Sequence, residues 1–172
     1  MRAKRPKRRI RALFCDVDGV LTDGRITLDG RGNELKVFNT KDGHGLRKAE
    51  AAGITVCWIS GRKSPATARR ARELGVRYCY QGVRDKRTRL EAVRRKLGVP
   101  AAETAAIGDD EPDIPMLESV GLSACPSDAV PAARRAATVV LKSAGGAGAV
   151  REFVELILER NGQAGILTLR PG

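Results

Sequence analysis

Two aspartates two residues apart, Asp16 and Asp18, follow an apolar run near the start of the chain, and Gly19 comes directly after them. The apolar run, residues 10–15, has the pattern of a buried strand, where aspartate is disfavoured. Carboxylates in such a position are costly unless they pair with a cation or bind a metal. A carboxylate can act as a nucleophile, as a proton donor or as a ligand of a hard cation. The fragment 16–23 therefore predicts a site that combines these functions.

Strand-like and helix-like segments alternate along the chain. Strands are predicted at 10–15, 54–59, 76–80, 104–107, 122–124 and 138–141. Helices are predicted at 46–52, 65–74, 86–97, 114–119, 128–136 and 147–160. Residues 25–38 are expected to form a β-hairpin around a Gly-rich turn. This alternation predicts an α/β protein with a Rossmann-like, doubly wound parallel sheet and one β-hairpin insertion.

Four polar clusters directly follow four of the predicted strands. They are Asp16 with Asp18, the segment 60–62 (Ser-Gly-Arg), Lys86, and the pair 109–110 (Asp-Asp). Because ligands bind at the carboxyl edge of a parallel sheet, we expect the clusters to share one crevice. Each cluster has an ordinary structural interpretation, such as a turn, a helix cap or a helix-surface lysine. Their joint occurrence favours a shared site.

The order of these clusters resembles that of the haloacid dehalogenase superfamily of phosphotransferases, over residues 10–160. The resemblance implies that Asp16 attacks phosphorus and forms an aspartyl-phosphate. It implies that Asp18 protonates the leaving alcohol and then activates water. Ser60 would donate a hydrogen bond to a phosphate oxygen, and Lys86 would balance the charge between nucleophile and phosphoryl group.

The same resemblance implies Mg²⁺ as the cofactor, because hard cations prefer oxygen ligands. The implied ligands are Asp16, the backbone carbonyl of Asp18, and Asp109. Asp110 and Asp113 would surround these ligands, and either could reach a water molecule bound to the ion.

Members of this superfamily usually carry a cap domain that selects substrates. Apart from the strand at 54–59, only the hairpin and one helix separate Asp18 from Ser60, and one helix and one strand separate Ser60 from Lys86. No cap domain fits there, so we expect an uncapped fold with an open site.

Six segments are similar to the 3-deoxy-D-manno-octulosonate 8-phosphate phosphatase family, which makes a lipopolysaccharide precursor sugar. The segments are 16–24, 38–43, 61–64, 80–82, 108–110 and 145–152. This similarity implies a homotetramer in which hairpins form a barrel between subunits and a neighbouring subunit helps to close each site. It would also explain the hairpin, because a two-stranded hairpin is marginal alone.

Carried over residue by residue, the resemblance implies a set of substrate contacts: Asp18, Asn39, Thr40, Lys41, Asp42, Gly43, Arg47, Arg62, Arg70 and Lys86. Arginine suits the phosphate and the carboxylate of such a substrate, because its guanidinium group offers paired donors. The chain departs from the family's pattern at Lys41, His44 and Ala147, which leaves the exact sugar open. His44 is expected in a loop, without a catalytic role.

The net charge of +12 is concentrated at the N-terminus, where residues 1–11 hold seven basic residues and no acid. We expect residues 1–9 to form a disordered basic tail, residues 10–160 the phosphatase domain, and residues 161–172 a C-terminal tail. A nucleic-acid partner is disfavoured because no base-reading element accompanies the basic segment. No apolar run approaches the ~18 residues of a membrane span, and none suits a signal peptide. We therefore expect a cytoplasmic protein with no membrane partner.

The leading hypothesis is a Mg²⁺-dependent phosphatase that acts on 3-deoxy-D-manno-octulosonate 8-phosphate. One alternative is a phosphatase for nonulosonate 9-phosphates or for a broad range of sugar phosphates. Another is a non-catalytic homologue that serves as a subunit of a larger complex. The presence of Asp16, Asp18, Lys86 and Asp109 disfavours the last alternative, since a structural role would not require all four.

Overall fold

The computed structural model describes residues 8–165, and a parallel sheet of six strands lies at its centre. The strands of the chain are β1 (Ala12–Cys15), β2 (Thr27–Leu28), β3 (Glu34–Leu35), β4 (Thr55–Ile59), β5 (Tyr78–Tyr80), β6 (Thr104–Ile107), β7 (Leu122–Cys125) and β8 (Val139–Val140). The helices are α1 (Thr40–Ala51), α2 (Pro65–Leu74), α3 (Lys86–Lys96), α4 (Ile114–Leu117), α5 (Pro131–Ala136) and α6 (Ala149–Arg160). Two single 3₁₀ turns lie at Ala101–Glu103 and Glu111–Asp113.

The sheet has the strand order β5-β4-β1-β6-β7-β8, and every pair in it is parallel. Strand β1 lies in the middle, with Cys15 in register with Trp58 on one side and Ile107 on the other. The chain therefore leaves β1, β4 and β6 at nearly the same level. The strand order reverses at β1, which is where α/β sheets of this kind bind ligands.

Helices cover both faces of the sheet, so the central strands are mostly apolar. Leu13 and Trp58 pack on the face covered by α1, α2 and α6, whereas Phe14 and Ile59 pack on the face covered by α3, α4 and α5. This alternation follows from the two-residue period of a strand. The predicted doubly wound α/β fold is confirmed.

Helix α1 begins at Thr40, six residues earlier than the sequence predicted. Asn39 caps it through a side-chain oxygen that accepts from a backbone amide of the first turn, at 2.8 Å. Gly43 and Gly45 give this turn the composition of a loop in the sequence. A Cβ atom at Gly45 would lie 3.0 Å from the Cα of Arg151, so glycine allows α1 and α6 to pack closely. The expectation that His44 lies in a loop was wrong, because it lies in α1.

The predicted strands at the two edges of the sheet were too long. Strand β5 covers only the last three residues of 76–80, and β8 covers only the middle of 138–141. Each edge strand pairs with one neighbour, so fewer of its residues are held in the ladder. The β-hairpin is confirmed as a separate two-stranded sheet of β2 and β3.

The described ends of the chain contact the domain. The Asn161 side chain accepts from the backbone amide of Ile10 at 2.8 Å and donates to the Ile10 carbonyl at 2.9 Å. Most of the two predicted tails, residues 1–7 and 166–172, lies outside the described residues, so the domain limits stay a prediction. Among residues 8–165, no helix has the length and apolar character to cross a membrane.

Candidate active site

A cavity of about 430 Å³ opens at the carboxyl edge of the sheet, beside the ends of β1, β4, β5 and β6. Its walls contain residues from all four polar clusters. They are Asp16, Asp18, Gly61, Arg62, Val83, Arg84, Lys86, Asp109, Asp110, Pro112 and Asp113. The predicted crevice is therefore present in the structure.

A buried lysine holds two buried carboxylates at the base of this cavity. Lys86 Nζ donates to Asp16 Oδ1 at 2.6 Å and to Asp113 Oδ1 at 2.5 Å. Burial lowers the pKa of Lys86, but the two carboxylates outweigh it and the net pKa is raised. Lys86 begins α3, which Asp85 caps by accepting from Thr88, so the helix start fixes the position of the lysine. The ammonium group therefore stays charged beside Asp16.

Asp18 lies at the mouth of the cavity and is held on both carboxylate oxygens. Ser60 Oγ lies 3.2 Å from Asp18 Oδ2, and Ser60 also bonds the backbone of Arg62. Lys36, from the hairpin, donates to Asp18 Oδ1. Ser60 follows β4 and Asp18 follows β1, so the parallel register of the two strands brings them together.

Two residues of the hairpin, Glu34 and Lys36, also reach this site and were not predicted from the sequence. Lys36 Nζ lies 2.9 Å from Glu34 Oε1, and Glu34 Oε2 lies 3.3 Å from an Arg62 nitrogen. Hydrogen bonding from Lys36, together with Arg62, holds the pKa of Glu34 below its usual value despite some desolvation. The alternation of these charged residues with Leu35 and Val37 was the only sequence signal for a polar face directed at the site.

Three carboxylates converge where a cation would bind. Asp16, Asp109 and Asp113 each offer an oxygen within 4.8 Å of the others. Desolvation raises the pKa of Asp16 well above its usual value, and Asp113 adds to this effect. The same two causes raise the pKa of Asp109 to about 7. Asp109 Oδ1 is buried and has no hydrogen-bond partner among residues 8–165. A hard divalent cation would satisfy this oxygen and offset the repulsion, so the residues fit Mg²⁺.

Asp113 and Asp110 shape the loop that carries Asp109. Asp113 Oδ2 accepts from the backbone amides of Asp109 at 3.0 Å and Asp110 at 3.3 Å. Asp110 Oδ1 accepts from the amide of Glu111 at 2.7 Å and caps the 3₁₀ turn. Gly19 allows Asp109 to approach β1, because its φ is +89° and a Cβ there would lie 2.1 Å from Asp109 Oδ2.

The residues expected to contact substrate fall into separate places in the single chain. Asp18, Arg62 and Lys86 line the catalytic cavity, whereas four others line a second cavity of about 280 Å³ between α1 and α2. The second cavity is lined by Thr40, Gly43, His44, Arg47, Arg70 and Leu74.

Arg47 and Arg70 are tied to α2 in this second cavity. Arg47 donates to the Glu73 carbonyl at 3.0 Å, and Arg70 donates to the Glu73 carboxylate at 3.2 Å. Their role as substrate contacts stays a prediction.

The remaining residues of this expected set have structural contacts or are exposed. Asp42 is buried and accepts from the backbone amides of Gly148 at 3.3 Å and Arg151 at 2.8 Å, so it fixes the start of α6. Asn39 caps α1 and donates to the Gly146 carbonyl at 3.1 Å. Lys41 is exposed. In the single chain, neither Asp42 nor Asn39 lines the catalytic cavity.

The model of the haloacid dehalogenase-like hydrolase family matches residues 80–153. The curated 3-deoxy-D-manno-octulosonate 8-phosphate phosphatase KdsC of Escherichia coli (strain K12) is 42% identical over 154 residues, which are 90% of this chain and 82% of the relative. The chain belongs to the 3-deoxy-D-manno-octulosonate 8-phosphate phosphatase family. The resemblance read from the sequence motifs is thus confirmed.

Solved structures of this phosphatase family share the fold of the chain. The Moraxella catarrhalis enzyme, in complex with magnesium ion, phosphate ion and KDO, superposes with a TM-score of 0.87 at 38% identity, over 89% of this chain and 88% of that one. The cobalt-bound Haemophilus influenzae enzyme superposes with a TM-score of 0.88 at 37% identity, over 92% and 93% of the two chains. Both relatives are metal-bound phosphatases.

For this member of the phosphatase family, Asp109→Asn should separate metal binding from folding. Without metal, the change removes one of three crowded carboxylates, so we expect a higher melting temperature, by roughly 2–4 °C for each kcal/mol of repulsion relieved. With Mg²⁺, the wild-type protein should gain stability as the ion binds, and the variant should gain little. Thermal melts with a chelator and with Mg²⁺ measure both effects. Asp110→Asn is the matched control, and an equal Mg²⁺ shift in Asp109→Asn would contradict the metal site.

Proposed function

We propose that the chain is a Mg²⁺-dependent phosphatase that hydrolyses 3-deoxy-D-manno-octulosonate 8-phosphate to the sugar acid and inorganic phosphate. The observation that carries the proposal is the arrangement of Asp16, Asp18, Lys86 and Asp109 around one cavity, in a chain 42% identical to KdsC. A nucleophile, a proton donor, a fixed cation and a metal ligand are the groups that this hydrolysis needs.

In the first step, an Asp16 carboxylate oxygen attacks phosphorus and the bond from phosphorus to the sugar oxygen breaks. Asp18 gives a proton to the leaving sugar oxygen, which leaves as an alcohol. Lys86 keeps Asp16 in place and offsets the negative charge on the phosphoryl group. Asp16 and Asp109 would hold Mg²⁺, which would supply positive charge beside the phosphoryl group.

In the second step, Asp18 accepts a proton from a water molecule, and the water oxygen attacks the phosphorus of the aspartyl-phosphate. The bond to Asp16 breaks, inorganic phosphate leaves, and Asp16 is restored as a carboxylate. The Ser60 hydroxyl lies beside Asp18, where it can donate to a phosphate oxygen.

Substrate selectivity depends on positively charged side chains that take no part in the phosphoryl transfer itself. A sugar-acid phosphate has two anionic groups, and Arg62 at the cavity mouth offers paired donors for one of them. Arg47 and Arg70 belong to the second cavity, so they would meet the substrate only in an assembly that brings the second cavity of one subunit to the catalytic cavity of another.

Phosphate release from a panel of compounds tests the function. The panel contains 3-deoxy-D-manno-octulosonate 8-phosphate, a nonulosonate 9-phosphate and glucose 6-phosphate, each with Mg²⁺ and with a chelator. We expect the first compound to give the highest kcat/KM, and the chelator to abolish turnover. Equal rates for all three would indicate a broad sugar phosphatase, and no turnover by the folded protein would indicate a non-catalytic homologue.

The proposed assembly is a homotetramer, which the apolar surface of the hairpin supports. Ile26, Leu28, Leu35 and Val37 are 57%, 61%, 57% and 80% exposed. Several large, exposed apolar side chains on one hairpin are typical of an interaction surface. We also propose a cytoplasmic location for the protein.

Replacing Leu28 and Val37 with serine should dissociate the tetramer into smaller species, because it removes apolar area that the assembly would bury. Light scattering after gel filtration measures the mass. The matched control replaces Val140 and Leu156, which are 40% and 38% exposed and lie away from the hairpin. A monomeric wild-type protein, or an unchanged tetramer in the hairpin variant, would contradict the assembly.

A further inference from the structure

Strand β3 and the two residues after it direct charged side chains toward the catalytic cavity and apolar ones away from it. Glu34 and Lys36, two residues apart, both reach the residues that follow β1 and β4, whereas Leu35 and Val37 are exposed. The Lys36 side chain is only 3% exposed. Lysine is almost never so fully buried unless its charge is paired. Burial at this point therefore indicates a specific contact.

That contact is one link in a row of alternating charges. Lys36 Nζ bonds Asp18 Oδ1 and lies 2.9 Å from Glu34 Oε1, and Glu34 Oε2 lies 3.3 Å from Arg62. The other Asp18 oxygen lies 3.2 Å from Ser60 Oγ. Asp18 is thus held from the sheet on one side and from the hairpin on the other.

We propose that Lys36 is a positioning residue for the phosphatase reaction, which holds the Asp18 carboxyl group where it can give its proton to the leaving oxygen. Glu34 in turn holds Lys36 in place and joins it to Arg62. The inference rests on the proposed function. It gives the two aspartates separate lysine partners, Lys86 for Asp16 and Lys36 for Asp18.

Orientation of Asp18 matters because proton transfer requires hydrogen-bond distance to the leaving oxygen. A displacement of about 1 Å in such a group costs roughly 10²-fold in rate. An aspartate side chain at a cavity mouth has several rotamers available, and bonds to both of its oxygens select one of them. The hairpin that supplies Lys36 is the same element that carries the proposed subunit contact, so packing of the hairpins would also secure Asp18.

Leaving-group chemistry tests the proposal. A sugar phosphate releases a strongly basic alkoxide that needs the Asp18 proton, whereas 4-nitrophenyl phosphate releases a weak base that needs none. Rapid-quench kinetics measure the first release of alcohol from each substrate with wild type and Lys36→Met, a variant that keeps chain length and loses the charge. We expect the sugar phosphate step to fall roughly 10²-fold and the nitrophenolate step to fall less than about threefold.

Two further variants make the expected pattern specific. Lys36→Arg keeps the charge and should restore most of the sugar phosphate step. Glu34→Gln keeps the shape and should lower the same step by a smaller factor than Lys36→Met, with nitrophenolate release again preserved. Arg31→Met, at the exposed hairpin turn, is the charge-matched control and should leave both steps unchanged.

Equal losses for both substrates would overturn the proposal, because Lys36 would then bind the phosphoryl group or support the fold. Unchanged or faster sugar phosphate turnover in Lys36→Met would also overturn it. Failure of the proposed function is visible separately, in the substrate preference and activity of the wild-type protein. A different preferred sugar leaves the comparison of leaving groups intact, whereas an inactive wild type contradicts both.

Discussion

Replacing Asp16 with asparagine should leave the protein folded and reduce turnover by roughly 10⁴-fold or more. Asparagine has nearly the same shape, but its amide is a very weak nucleophile and cannot form the acyl phosphate. The loss should appear in kcat, since the chemical step fails whether or not substrate binds. Steady-state phosphate release with saturating Mg²⁺ measures it.

The folded state should tolerate Asp16→Asn because the surroundings of Asp16 destabilise its negative charge. Desolvation and the neighbouring Asp113 already raise its pKa well above the usual value. Removing that charge relieves repulsion, while Lys86 keeps its bond to Asp113 at 2.5 Å. We therefore expect a melting temperature no lower than that of the wild type in the presence of a chelator.

Trapping the aspartyl-phosphate intermediate tests directly whether Asp16 is the nucleophile. Acid quench followed by mass spectrometry should detect phosphate on the peptide that carries Asp16 in the wild type, and none in the variant. Asp23→Asn, an exposed carboxylate beyond the turn, is the matched control and should retain the adduct and the turnover. Near-normal turnover in Asp16→Asn would show that another group attacks phosphorus.

The convergence of the polar clusters at the carboxyl edge of the sheet was predictable from the sequence, because each cluster follows a predicted strand. Asp16, Ser60, Lys86 and Asp109 each follow a strand whose apolar run is evident, and parallel strands end at one edge. Helix α2 was equally predictable, since Pro65 begins it and Gly75 ends it in the left-handed conformation.

Features that depend on how one element lies over another were not predictable. Lys36 and Glu34 reach the cavity only because the hairpin folds back over the ends of β1 and β4. No local sequence pattern predicts the direction in which the hairpin folds. The start of α1 was missed because Gly43 and Gly45 resemble a loop until the neighbouring helices are present. The second cavity around Arg47 was missed for the same reason, because the packing of α1 against α2 decides which residues surround Arg47.

Replacing Lys86 with methionine should reduce both stability and activity. The change leaves the buried carboxylates of Asp16 and Asp113 side by side without their cation. Breaking a buried ion pair by removing one partner typically costs roughly 3–5 kcal/mol. Urea unfolding measures the free energy of unfolding, and phosphate release measures the loss of turnover, which we expect to be about 10³-fold. Lys96→Met, at the exposed end of the same helix, is the matched control.

A second change distinguishes the two effects of Lys86. Adding Asp113→Asn to Lys86→Met removes one of the uncompensated carboxylates, so the double variant should recover much of the lost stability. Turnover should not recover, because the transferring phosphoryl group would still lack the Lys86 charge. If turnover returned together with stability, Lys86 would be a structural residue that only neutralises its neighbours. Continued loss of turnover in a stable double variant, while Asp113→Asn alone stays active, would instead assign the Lys86 ammonium to the reacting phosphoryl group.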